Sequence, residues 1–579
     1  MNLVGDIDEK TGVVTSKVLV EGSEVSTQYG IQSIAITNEC NRIPTAIITI
    51  VDGSIPDQEF KASNDTVFEP GKSIEVKAGY DAIEETVFKG VIIKQAVKID
   101  QKNSALIITC KDEAFKMTLG KKNALFYDVT DSDTIEKLIQ DNGLTSQVET
   151  TSFSHHELVQ YQSTDWDFMM SRAQVIGAIC TISEGIITIQ KPEINGTEVL
   201  TATYGSTIFS FDAEIDARNQ YKTYEANSWD YSNQEIITTE ATNSGQVTSG
   251  IMDESSLAKA VGNQKISLNH TGAIKSEVLQ TWIDSKSILQ QLSMMRGKLQ
   301  LQGDEKLRAG VTIKLEGIGD RFNGKVFVGG VHHIITEGNW FSNVQIGMNP
   351  EWFAEQQEVS ALPASGMLPA ISGLQIGVVT ALEGDPDNEH RIKVKIPIVN
   401  ADEEGVWARV LSPYAGENYG IQFLPEIGNE VLLGFLNADP SQAVVLGGMY
   451  SNTNTAPIEF TDDNFEKIMM GNSEIKMLFN DDTKTITLET PAGKSIVLDE
   501  DEGVIKLEDE NNNIVTMSSD GISIESGSDI NIKATGDVNI EGVNINAKAS
   551  ANFKAEGSAG VEVSSSATAI LKGSLVQIN

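Results

Sequence analysis

Four groups of residues in this 579-residue chain have the chemistry for catalysis or metal binding. Histidine comes first. His155-His156 and His332-His333 are adjacent pairs, but neighbouring side chains of a strand point to opposite faces, so neither pair closes well on one ion. Carboxylates cluster at Asp499 to Glu502 and at Glu508 to Glu510, and a β-helical hydrolase or lyase would use such groups as acid and base. Both clusters fall instead in turns between apolar pairs, where solvated charge keeps strand edges from pairing. Calcium binding at the same turns would need a Gly-Gly-x-Gly-x-Asp spacing, which they lack. Cys40, Cys110 and Cys180 are odd in number and far apart, and read as small buried apolar residues without a disulfide framework. Gly317-Ile318-Gly319 has no surrounding βαβ unit to make it a nucleotide loop. The chain is therefore expected to be no enzyme, with no catalytic, cofactor or metal site.

The elements around these residues explain their placement. From about Ile475 to Asn579 the sequence falls into rungs of two apolar residues flanking one polar residue, separated by Gly, Asp, Asn or Ser turns. The pairs are Ile486 and Leu488, Ile496 and Leu498, Ile505 and Leu507, Val515 and Met517, Ile522 and Ile524, Ile530 and Ile532, and Val538 and Ile540. Period-two alternation puts both members of a pair on one face, and a fixed repeat of such rungs predicts a β-helical rod. Two side chains per rung bury little surface against the entropy of ordering the whole rung. A core shared between chains would bury them more fully and pair the strand edges, so the rod is expected to be an intertwined homotrimer with Ile522, Ile524, Ile530, Ile532, Val538 and Ile540 in its core. Beyond Ile540 three eight-residue columns persist, and the register there stays open.

Composition narrows the partners. A net charge of −39 repels phosphate backbones and anionic membrane surfaces, so no nucleic-acid partner is expected. Met1 to Asp8 shows no basic-then-apolar signal pattern, and no run approaches the ~20 apolar residues of a membrane span. Export by a route other than general secretion is expected.

Upstream of the rod, alternation predicts strands at Lys17 to Val20, Gln32 to Ile36, Ala46 to Val51, Ser73 to Ala78, Thr86 to Ile99 and Ala105 to Lys111. Helices are predicted at Asp133 to Asn142, with Gly143 as the stop, at Thr164 to Val175, and at Ser276 to Arg296. Strands return at Val311 to Leu315, Lys325 to Ile335 and Phe341 to Gly347. Residues 1–355 thus hold two separate strand-rich regions flanking helical insertions, and 356–373 read as a linker. Residues 374–451 hold five or six strands of an OB-type barrel, including Gly420 to Leu424. A connector, 452–474, leads to the rod at 475–579. The fold class is mainly β.

The barrel segment carries Asp385-Pro386-Asp387, Arg391-Ile392-Lys393-Val394, Trp407-Ala408-Arg409-Val410, Pro425-Glu426-Ile427-Gly428-Asn429-Glu430-Val431 and Asp439-Pro440. In that order and spacing it resembles the OB domain of VgrG-type central spike proteins of contractile injection systems: type VI secretion, extracellular injection particles and contractile phage tails. Tyr161 to Met169, Pro70-Gly71 and the block Gly324 to His333 resemble the hub half of the same family. The resemblance implies two tube-like β-barrel hub domains, an OB collar and a trimeric β-helical needle. It further implies docking on an inner tube of the Hcp type, baseplate proteins around the hub, effector cargo, and a PAAR-repeat cap at the tip. Assembly in the bacterial cytoplasm and expulsion on contraction follow from it. No histidine follows His390, so the His-x-His iron site of self-tipped phage spikes is absent, and Gly573, Ser574, Leu575, Val576, Gln577, Ile578 and Asn579 are the expected cap-docking residues. The rival reading is a β-helical polysaccharide-degrading tailspike enzyme.

Overall fold

The structure, a computed structural model, describes residues 12–101, 103–241, 253–357 and 359–578. The chain divides into two compact units at residues 370 and 371.

In the first unit, runs of alternating apolar residues form one thirteen-stranded sheet. Val14–Val20, Gly30–Glu39, Thr45–Val51, Ser73–Tyr80, Ile83–Ile99 and Ser104–Lys111 make one set of antiparallel strands. Ile208–Ile215, Met295–Gln302, Gly324–Thr336 and Asn339–Ile346 make a second. The sets join where Gly324–Thr336 lies antiparallel to Gly30–Glu39, with Ile335 opposite Ile34. Each set carries its own core, around Ile34, Ile48, Val76 and Ile108 in the first and around Leu299, Val328 and Val344 in the second. Trp340 and Ile335 come from the second set but pack in the first core, which ties the two sets together.

Helices interrupt these strands as the sequence predicts, with one shift. Asp131–Asp141 begins with a reciprocal capping box between Thr130 and Asp133, and Asp165–Val175 is capped by the Thr164 side chain. The long helix Ser276–Leu292 ends a turn earlier than its apolar pattern suggests. Met295 instead opens the strand Met295–Gln302, opposite Ile215. Its apolar side chain fits either element, and sheet pairing wins. No helix among the described residues is long and apolar enough to cross a membrane.

In the second unit, Gln375–Ala381, Ile392–Lys395, Val406–Val410, Ala443–Gly448 and Glu430–Phe435 close into a five-stranded barrel around Val379, Val394, Val431 and Leu433. Asp385 shapes the turn before the second strand, accepting from the backbone N–H groups of Asp387, Glu389 and Arg391 and pairing with the Arg391 guanidinium. The expected strand Gly420 to Leu424 is absent. Gly420 (φ +145°) instead ends a short hairpin, Ala415–Gly416 with Tyr419–Gly420, and Ile421 and Phe423 point to solvent.

After the barrel comes a seven-stranded antiparallel meander: Glu466–Met470, Lys476–Asn480, Thr485–Glu489, Ser495–Asp499, Val504–Glu508, Ile514–Ser518 and Gly521–Glu525. Its first strand lies inside the stretch expected to be a connector. Residues 526–578 contain no strand paired within the chain.

Candidate assembly surface

Each apolar pair of the rungs meets the pair of the next strand. Ile486 faces Leu498 and Leu488 faces Ile496; Ile496 then faces Leu507, and Leu498 faces Ile505. The ladder continues through Leu507 opposite Val515 and Ile505 opposite Met517, to Val515 opposite Ile524 and Met517 opposite Ile522. Upstream it extends through Met477 and Phe479 to Met469. Cross-strand pairing thus gathers the first five of the seven predicted pairs into two parallel apolar columns on one face, each contact adding a few tenths to ~1 kcal/mol. The residues between them, Thr487, Val497, Lys506, Thr516 and Ser523, take the other face and turn polar toward the C-terminal end.

Nothing within the chain covers the apolar face. Leu488, Ile496, Leu498, Ile505, Leu507 and Met517 remain between 39% and 42% exposed, where core residues of the barrel fall to zero or nearly so. On the last strand Ile522 and Ile524 rise to 70% and 60%. Of the other expected core residues, Ile530, Ile532, Val538 and Ile540 lie past that strand and are exposed. A single chain does not bring them together. Gly573 to Ile578 are likewise exposed, and Asn579 lies outside the described residues.

The charged turns are self-satisfied. Asp509 accepts from the backbone N–H groups of Asn511 and Asn513 and from both their side-chain amides, which holds its carboxyl down at about 2. Lys484 pairs with Asp501 and Lys494 with Glu510, each bridging adjacent rungs. These contacts fix turns rather than poise an acid and a base.

The histidines have structural partners. His156 pairs with Asp128 on the surface, His332 Nδ1 lies 2.9 Å from the Thr37 hydroxyl, and His333 is buried between Ser342 and the Leu307 carbonyl. All three cysteines are buried, and desolvation pushes the Cys40 and Cys110 thiols up to about 12. One cluster escaped sequence reasoning. Asp131 sits 2.6 Å from Arg172 Nε and 2.8 Å from His155 Nε2. The three are separated by 17 to 41 positions, so no local spacing announces them.

The open sheet with its bare apolar ladder thus follows an OB-type barrel in the chain. The family model described as the type VI secretion system/phage-baseplate injector OB domain matches residues 375–450, and that described as the Alg8 N-terminal domain matches residues 10–337. The latter match spans more than half of the chain, which belongs to that family. Curated relatives of the chain include VgrG proteins named as type VI secretion spike proteins and one named an actin cross-linking toxin. The type VI secretion system spike protein VgrG3 of Vibrio cholerae is 30% identical over 137 residues, covering 22% of this chain and 13% of the relative. VgrG5 of Pseudomonas aeruginosa is 38% identical over 98 residues, covering 16% and 12%. The chain therefore spans only about an eighth of the length of either. A prophage tail protein from Shewanella oneidensis aligns over 58% of this chain and 98% of its own, at 10% identity and a TM-score of 0.44.

Proposed function

We propose that this chain is the central spike of a contractile injection machine, working as a homotrimer whose C-terminal region is a β-helical needle. The observation that carries the reading is the uncovered two-column ladder from Met469 to Ile524. Three such faces turned inward bury one another and leave the polar face outside. The hub, residues 1–355, docks on an inner tube protein of the Hcp type and is gripped by baseplate proteins; the barrel, 374–451, forms a collar. The role is mechanical. Sheath contraction drives the needle through a target envelope, carrying a PAAR-repeat cap and effector cargo. The particle assembles in the cytoplasm and is expelled.

The tailspike-enzyme reading is disfavoured by the turn-bound carboxylates, which are committed to backbone amides and lysines.

Sedimentation of the purified chain tests the proposal, with three copies expected. Ile532→Asp should break the trimer, because three carboxylates would converge on one axis, each costing several kcal/mol without a partner. Asn531→Asp, on the outward face, should leave it intact. A monodisperse monomer that keeps its β-sheet signal would falsify the shared core.

A further inference from the structure

Within the first unit, a cavity of about 170 Å³ opens between a three-stranded sheet (Thr145–Val148, Ile179–Ser183 and Ile186–Gln190) and the helix Ser276–Leu292. It lies past the carboxyl ends of the two parallel strands of that sheet, with Glu149 and Lys191, the residues that follow them, at its rim. Part of its wall is apolar: Phe153 from a loop, Val175 and Ile176 from the end of the helix Asp165–Val175, Ala178 just before the strand Ile179–Ser183, and Val278 from the helix Ser276–Leu292. Phe153 is held in place, with the His155 ring edge-on at 4.8 Å and Lys275 Nζ 5.5 Å from its centroid.

The remaining wall is polar and rich in acceptors. Asp131 lines it with a side chain only 5% exposed, neutralised by Arg172 and bonded to His155. Two carboxylate oxygens offer about four lone-pair sites and these partners fill three, at 2.6, 3.1 and 2.8 Å. Thr151 and Thr281 also line the cavity, the first bonded to Ser132 and the second donating to the Glu277 carbonyl, so that each hydroxyl offers a remaining lone pair.

Volume and chemistry together select the occupant. Nucleotide- or drug-sized ligands need roughly 300–1,000 Å³, whereas a cavity of about 150 Å³ takes one benzene ring. A single ring bearing one hydrogen-bond donor fits both walls, and phenol and indole are the protein side chains of that description. The rim places one carboxylate and one ammonium, Glu149 and Lys191, beside the opening, which complements a peptide carrying a charge of each sign around the ring.

We propose that this cavity receives one Tyr or Trp side chain presented by a partner polypeptide. The site belongs to the first unit and does not depend on the spike reading.

The test uses the full-length protein and fluorescence anisotropy with labelled peptides Ac-Lys-Tyr-Glu-NH2 and Ac-Lys-Ala-Glu-NH2. Saturable binding of the Tyr peptide is expected, at least tenfold tighter than the Ala peptide and displaced by free p-cresol. Val278→Trp and Thr281→Trp, at half-buried positions on the helix surface, should each weaken the Tyr peptide at least tenfold. Circular dichroism and a melting curve establish that each variant is folded, and one folded variant suffices. Equal binding of the two peptides, unchanged binding by a folded variant, or binding of p-cresol without the Tyr peptide would each overturn the proposal.

Discussion

At His333, burial and ionisation conflict. Its Nδ1 lies 2.8 Å from the Ser342 hydroxyl and accepts from Trp340 Nε1, while Nε2 donates to the Leu307 carbonyl at 3.2 Å. That arrangement suits a neutral ring. Burial depresses its pKa to about 4, with the charges of His332 and Arg308 pushing the same way and the Leu307 carbonyl and Glu305 opposing. Because the folded value lies below the ordinary 6.5, the unfolded chain binds the proton first, so stability falls as pH drops from 6.5 toward 4 and then levels off. Between pH 7.5 and 5 the loss from this one group should be about 2 kcal/mol. Urea unfolding of the wild type and of His333→Gln at both pH values measures it. An identical pH slope in the variant would sink the assignment.

Among the elements, the helix Asp131–Asp141 is the clearest case of local sequence acting alone. Thr130 accepts from Asp133 N–H at 3.1 Å and Asp133 accepts from Thr130 N–H at 3.2 Å. Thr130→Ala should cost about 1 kcal/mol of stability, and Thr130→Ser little, as read by chemical denaturation. If the alanine variant unfolds like the wild type, the box contributes nothing. The alternation of Thr45–Val51 or Ser104–Lys111 was legible because it depends on neighbours in sequence, whereas a reading that began this helix at Asp133, past its observed start at Asp131, passed over the Thr130 cap. Where the reading failed, distant partners decide. Met295 leaves its helix because Ile215, eighty positions away, pairs with it; Ile421 and Phe423 leave the barrel because the five strands already close it. Met469 belongs to the ladder only through Met477, which a spacing rule that begins at Ile475 cannot find. The rung pairs were legible because period and register coincide, whereas the Asp131–Arg172–His155 cluster has no periodic trace.

At the scale of the whole molecule, the apolar residues of the C-terminal hundred positions stay uncovered. Along the meander exposure holds near 40% from Leu488 to Met517 and reaches 70% only at Ile522 on the last strand, and further along the chain Leu575, Val576 and Ile578 are 82%, 45% and 87% exposed. In the proposed trimer the upstream ladder would supply the contacts that hold three chains together, while three copies of the exposed Leu575, Val576 and Ile578 would offer an apolar surface of the kind that recruits another protein. The proposed occupant is the PAAR-repeat cap. These two roles separate along the chain, so they can be separated by deletion. Removing Gly573 to Asn579 should abolish capture of a PAAR-repeat protein encoded beside the spike while leaving sedimentation as a trimer unchanged. The contrast with Ile532→Asp is the control, since that substitution should remove the trimer and the cap together. Equal capture by the full-length and shortened trimers would place the cap's platform elsewhere, and loss of the trimer on deletion would mean that the terminal residues carry the shared core themselves.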